Sequence, residues 1–326
     1  MSGALKTRGG VLVLLLGMVL VALPFVAQAY GSTYAITLAT RVVIYAMVAV
    51  SLDLILGYGG MVSFGHAAYF GLGGYVVAIL SFHLAEDVPI FGFAGTNEAL
   101  VSLPLAMLVS GLAALAFGAL SLRTSGIYFI MITLAFAQML FYIFVALKYY
   151  GGDDGLSMPR RNLLAGTRLT DPASFYFLCL GLLGAVLGLM RAIVGSRFGM
   201  VLTGAKANER RMAALGYPVT RYRLVAFVIA GMIAGLAGGL WANLGRFVSP
   251  DMMAWMKSGE FMLMVILGGV SSLAGPVVGA AAFLLIESTI SGLTQHWQAI
   301  FGPIVILIAL YAPRGLWGAA TGGRGS

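Results

Sequence analysis

The chain is a succession of apolar runs of roughly 20 residues, divided by short polar stretches. An α-helix rises about 1.5 Å per residue, so each run is long enough to cross the roughly 30 Å hydrocarbon core of a bilayer. Candidate spans lie near residues 11–30, 34–56, 63–82, 99–121, 126–147, 173–193, 223–245, 258–274, 276–291 and 298–312. The expected fold is an all-α polytopic membrane protein of about ten transmembrane helices, a single membrane domain over residues 1–326. Composition agrees. Only 9% of residues are charged and 60% are hydrophobic, whereas a soluble domain carries about 25% charged residues. A surface so poor in charge cannot stay solvated, so most of it faces lipid. The 45 glycines suit helices that pack closely, because a missing side chain lets backbones approach.

The net charge of +8 does not indicate a nucleic-acid partner. The basic residues cluster between apolar runs, as the positive-inside bias produces. Lys6 and Arg8 precede the first run, which places the N-terminus in the cytoplasm. The loop between the sixth and seventh runs falls on the same side. Around it lie Arg191, Arg197, Lys206, Arg210, Arg211, Arg221 and Arg223 against the single acid Glu209. Arg123 and Arg314 also fall inside, so both termini are expected to be cytoplasmic. The loop at 83–98 falls outside and holds Glu86, Asp87 and Glu98 with no basic residue. The outer loop at 148–172 departs from the pattern, with Arg160, Arg161 and Arg168 partly offset by Asp153, Asp154 and Asp171. A rival reading makes residues 1–29 a cleaved signal peptide ending at Ala27-Gln28-Ala29, although the apolar stretch is long for one. Cys179 is the single cysteine and lies in an apolar run, so no internal disulfide forms.

Two stretches interrupt the apolar pattern. Residues 56–66 read Leu-Gly-Tyr-Gly-Gly-Met-Val-Ser-Phe-Gly-His, and residues 267–276 read Leu-Gly-Gly-Val-Ser-Ser-Leu-Ala-Gly-Pro. Glycine weakens a helix by about 1 kcal/mol relative to alanine, and Pro276 removes a backbone donor. Freed backbone groups at membrane depth need partners from protein or a wet cavity. Paired interruptions point to two pseudo-symmetric halves with a transport site between them; close helix packing is the alternative. Gly59, Gly60, Ser63, Gly268, Gly269, Ser271 and Ser272 are the pathway candidates, with Asp53 just before the first break and His66 just after it. Asp53 is placed to cap the helix after the turn or to pair with Arg41. His66 reads first as an interhelical hydrogen-bonding residue. Glu260 and Glu287 are the other ionisable residues in late runs.

The stretch 195–222 is too polar to span a bilayer and too patterned for a plain linker. It reads as a short cytoplasmic helix built to be held by another protein. Glu209 near its start suits the helix dipole, and Gly216 permits the turn that ends it. No phosphate-cradling Gly-x-x-x-x-Gly-Lys-[Ser/Thr] is present, and no zinc or serine-hydrolase motif. The chain therefore does not read as an enzyme or as an ATPase of that type.

The ordered blocks Leu52-Asp53-Leu54 through Gly60, Ser63 to Gly71, Gly126-Ile127-Tyr128-Phe129, Gly151-Gly152-Asp153-Asp154-Gly155, Arg197-Phe198-Gly199, Asn208-Glu209-Arg210-Arg211, Ala213-Ala214-Leu215-Gly216 and Leu267 to Pro276 resemble the permeases of ATP-binding-cassette importers for branched-chain amino acids. The likeness is to the M-type subunit. It implies a bacterial inner-membrane permease paired with a homologous sister permease, two cytoplasmic ATPase subunits and a periplasmic substrate-binding protein. It implies no cofactor on this chain, with ATP and Mg held by the ATPases. Arg197, Phe198, Gly199, Asn208, Glu209, Arg210, Arg211, Ala213, Ala214 and Gly216 would form the segment that docks on the ATPase. Permeases for urea, short amides, or aromatic and other organic acids look much the same. An ion-coupled transporter using Asp53, Glu260 and Glu287 is the alternative of a different class.

Overall fold

The computed structural model describes residues 2–29, 31–89, 95–164, 167–168, 171–292, 296, 299, 302–303, 306 and 314–321. The helices are α1 (Ser2–Ala29), α2 (Thr33–Asp53), α3 (His66–Ala85), α4 (Ala99–Ser121), α5 (Ile127–Ala146), α6 (Pro172–Val194), α7 (Arg197–Ala207), α8 (Glu209–Ala214), α9 (Val219–Gly245), α10 (Trp255–Gly268), α11 (Gly275–Ser291) and α12 (Gly315–Thr321). A wider π-turn, Leu54–Tyr58, prolongs α2. Short strands serve only as clips. β1 (Leu156–Ser157) pairs antiparallel with β4 (Phe247–Val248), and β2 (Leu163–Leu164) with β3 (Thr167–Arg168).

Among the described residues seven helices are long and apolar enough to cross a membrane: α1, α2 with its π-turn, α3, α4, α5, α6 and α9. α11 is apolar but shorter. The expected span at 258–274 is corrected: its helix begins at Trp255 and stops at Gly268. Gly269 turns the chain there with φ 120°, and 14 residues rise only about 21 Å. The expected span at 298–312 lies almost wholly outside the described residues.

α9 and α2 form the centre. α9 packs on α2, α3 and α4, and α2 is buried all round from Val42 to Asp53. Close approach of α3 and α9 depends on Gly238, where a Cβ would collide with the Phe70 carbonyl. At the periphery only 11% of the apolar stretch of α1 is buried, and Leu14, Met18, Ile127, Met131 and Leu189 stand exposed. These faces suit lipid.

The loops sort to two ends of the bundle. Gly60, Thr124, Gly126, Glu209 and Arg223 meet at one. At the other, β1 pairs with β4, and the Asn162 amide donates to Asn243 Oδ1 at 2.8 Å. Asp171 caps α6 there, with Pro172 in the first turn. Its Oδ2 accepts from the Ser174 amide and hydroxyl, both at 2.9 Å. Those bonds hold the Asp171 carboxyl below its ordinary range.

Candidate functional site

The two glycine-rich interruptions fall at helix–helix junctions, and the structure brings them into contact. The first junction follows α2; the second joins α10 to α11. Ser271 is the bridge. Its amide donates to Asp53 Oδ1 at 2.8 Å, and its hydroxyl donates to the Gly57 carbonyl at 2.8 Å. Its φ of 61° is left-handed, a conformation that costs a non-glycine residue and persists where surroundings fix it. Gly57 has to be glycine: a Cβ there would strike the Asp53 carboxylate and lie 2.7 Å from the Ser271 amide nitrogen. Ser272 completes the second turn, donating to the Gly269 carbonyl at 2.7 Å and accepting from the Gly275 amide at 3.1 Å. Gly268 packs directly on the Gly275 backbone.

Asp53 therefore takes neither expected role. It does not cap α3 and does not pair with Arg41. It caps the second junction instead, because the turn at Ser271 presents a bare amide at the end of α2. Arg41 lies elsewhere, 5.5 Å over the Trp241 ring. His66 Nε2 shares a 2.8 Å hydrogen bond with Ser51 Oγ, so the buried ring ties α3 to α2. Ser63 Oγ accepts from the Gly65 amide at 3.2 Å and shapes the approach to α3. Gly59 closes the π-turn against the Ile55 carbonyl.

The polar stretch holds two helices: α8, which begins at Glu209 and ends just before Gly216 as expected, and α7 ahead of it. Asn208 ends α7, and its Oδ1 accepts from the Arg211 amide at 2.9 Å to cap α8. Ser196 caps α7 by accepting from the Phe198 amide at 3.2 Å. Phe198 packs on Tyr222 with ring centroids 5.3 Å apart, and Gly199 sits tight on the Val194 backbone. Arg197 stands on the exposed side of α7. α8 lies open: Arg210, Arg211, Ala213, Ala214, Leu215 and Gly216 are all exposed. Glu209 is paired, 2.8 Å from Arg223 on α9.

Lys206, at the end of α7, was legible only as one more basic residue. It reaches the meeting point of both junctions. Its Nζ donates to the Gly57 carbonyl at 2.6 Å and lies 3.4 Å from Ser271 Oγ. Gly60, with φ 68°, lies against its stem, where a Cβ would be 2.9 Å from Lys206 Cγ. A cavity of about 270 Å³ opens beside Gly60, Met61 and Val62, with Glu209 and Arg223 on its wall. α7 is thus bonded to the same carbonyl that fastens the two junctions together. Among the described residues no three His, Cys, Asp or Glu side chains gather as a metal site requires.

Several lipid-length helices around a polar joint define a multi-pass membrane protein. The chain belongs to the family described as branched-chain amino acid transport system / permease component, which matches residues 34–310. One relative is the high-affinity branched-chain amino acid transport system permease protein LivM of Salmonella typhimurium (strain LT2). It is 25% identical over 320 residues, covering 91% of this chain and 72% of the relative. The probable branched-chain amino acid transport permease protein LivM of Methanocaldococcus jannaschii is 22% identical over 319 residues, 84% of this chain and 90% of that one. The LivH permease protein of Escherichia coli (strain K12) is 27% identical over 138 residues, 41% of this chain and 44% of its own. No solved structure matches the chain.

Proposed function

We propose that this chain is the M-type transmembrane permease subunit of an ATP-driven importer in the bacterial inner membrane. It moves leucine, isoleucine and valine into the cytoplasm. Residues 1–326 act as one membrane domain with both termini cytoplasmic, and residues 195–222 are the coupling segment. A homologous sister permease completes the pore. Two cytoplasmic ATPase subunits bind ATP and Mg and do the hydrolysis, while a periplasmic protein delivers the cargo. The cargo reading leans on the family match and on the names of relatives aligned along most of the chain.

The coupling reading rests on one observation, the hydrogen bond from Lys206 to Gly57. α8 is open for a partner, and α7 ties it to the joint between the two junctions. A push on α8 is therefore delivered where α2, α3, α10 and α11 turn. ATP binding draws the ATPases together and shifts α7 and α8. The permease pair then rocks between outward- and inward-facing states, each favoured by contacts the other lacks.

Uptake of labelled leucine in cells with the gene deleted and restored tests the cargo, with isoleucine, valine, phenylalanine and urea as competitors. Uptake that returns with the gene and is blocked by isoleucine and valine is the expected result. Leucine uptake indifferent to the gene moves urea or an organic acid to the front. Lys206→Met and Arg210→Glu test the coupling. Both are expected to insert normally and lose most uptake, whereas Lys206→Arg keeps it. Uptake that survives without an ATPase and collapses with the proton gradient would overturn the importer mechanism.

A further inference from the structure

Four ionisable side chains stand apart from the joint: Arg41 on α2, Lys257 and Glu260 on α10, and Glu287 on α11. Twelve residues of α2 separate Arg41 from Asp53, a rise of about 18 Å. Lys257 and Glu260 are bonded to each other at 2.8 Å. Arg41 and Glu287 are in no ion pair among the described residues. The Arg41 guanidinium lies over Trp241, itself stacked on Tyr45 with centroids 4.9 Å apart. Tyr45 lies within electrostatic reach of Arg41, while Arg41 Nε is buried with no partner. The Glu287 carboxylate accepts no hydrogen bond among the described residues, yet it lies within electrostatic reach of Arg41, Glu260 and Lys257. α2 packs against α11, so Arg41 and Glu287 stand on neighbouring helices with no ion pair between them. Arg41, Trp241 and Glu287 are all half-buried, not sealed.

Charges on apolar helices are costly, and they persist where a partner, a cavity or a ligand answers them. A satisfied structural pair would have closed, as Lys257 and Glu260 have. We propose that Arg41 and Glu287 bind the two ends of a zwitterionic amino acid. The Arg41 fork takes the α-carboxylate, Glu287 takes the α-ammonium, and the aliphatic side chain lies against Trp241. Charge balance selects this class. The cluster holds two positive and two negative side chains. A lone organic acid would meet Glu260 and Glu287, a lone amine would meet Arg41 and Lys257, and an uncharged amide would leave both open charges unanswered. The site deepens the proposed function and rests on it.

The test uses the complete complex, captured through this chain and reconstituted with the binding protein loaded with labelled leucine. Leucine transported and ATP hydrolysed are measured together. Arg41→Gln and Glu287→Gln are each expected to lower leucine moved per ATP at least tenfold while stimulated hydrolysis continues. The exchange Arg41→Glu with Glu287→Arg does not restore it, because the bound leucine would turn its side chain away from Trp241. Restoration by that exchange would reveal a merely structural pair and overturn the site. If a Gln variant fails to assemble, Arg41→Lys and Glu287→Asp replace it, with an expected loss of about fivefold per ATP; an unchanged ratio overturns the site. Wild-type uptake left intact by all these variants also overturns the site alone. A wild-type complex that carries no leucine overturns the proposed cargo, and this site with it.

Discussion

Asp53 and Glu287 are both carboxylates on apolar helices, yet they are treated in opposite ways. Asp53 accepts the Ser271 amide at 2.8 Å, beside a glycine and within reach of the Lys206 charge. Glu287 accepts no hydrogen bond among the described residues and keeps three charged neighbours at a distance. The first arrangement fixes geometry. The second leaves bonding capacity open. A buried polar group that is fully answered stiffens a fold, whereas one that is only partly answered calls for another explanation. The joint at Asp53 is accordingly a fixed contact between the two junctions, and the cluster at Glu287 is the one proposed to hold cargo.

The strongest way to break that contrast is at Gly57. Gly57→Val forces carbon into the Asp53 carboxylate and the Ser271 backbone, and overpacking of this kind costs about 1–3 kcal/mol or more. Gly181→Val on α6 meets nothing within 4 Å and serves as the control. Thermal melts in detergent are expected to show a large drop for Gly57→Val and little change for Gly181→Val. Equal melts would mean that the two junctions are not a fixed contact.

Asp53 comes next. Asp53→Ala strands the Ser271 amide, and an unanswered buried donor costs about 1–3 kcal/mol. Asp53→Asn retains an acceptor oxygen and is expected to lose much less. If both variants melt alike, the charge facing Lys206 matters more than the hydrogen bond. Ser271 gives a smaller effect. Ser271→Ala loses the hydroxyl bond to Gly57, about 0.5–1.5 kcal/mol. Ser271→Gly loses the same bond but relieves the left-handed backbone, so it should melt above Ser271→Ala. The reverse order would show that Ser271 is not strained.

Lipid-length runs made most of the helices readable, since seven apolar helices lie where the runs predicted them. The glycine-rich junctions were readable too, because glycine and proline announce where a helix cannot continue. Their meeting was not. Contact between residues 57 and 271 depends on how α2 and α10 pack, and no periodicity encodes that. Lys206 was hidden for the same reason: a lysine in a basic loop looks solvated until its stem is seen lying along Gly60. Asn208 was hidden in another way: nothing in the basic pattern shows that its side chain is a strong N-cap dividing α7 from α8.

Asp171 gives the smallest and most local test, because it does in solvent what Asp53 does in the core. It accepts two bonds from Ser174, which depress its carboxyl from the ordinary value. A group whose folded pKa is depressed adds stability above its unfolded pKa, here about 3.9. That contribution is lost as pH falls through the lower folded value. Hydrogen exchange in the first turn of α6 is therefore expected to accelerate, relative to intrinsic rates, as pH drops below about 4. Asp171→Asn keeps the cap and removes the pH dependence. Exposure limits the effect to that turn, so leucine uptake by Asp171→Asn should match wild type. A fall in its uptake would give this end of the bundle a docking role that capping alone does not explain, and would place a second working surface opposite α8.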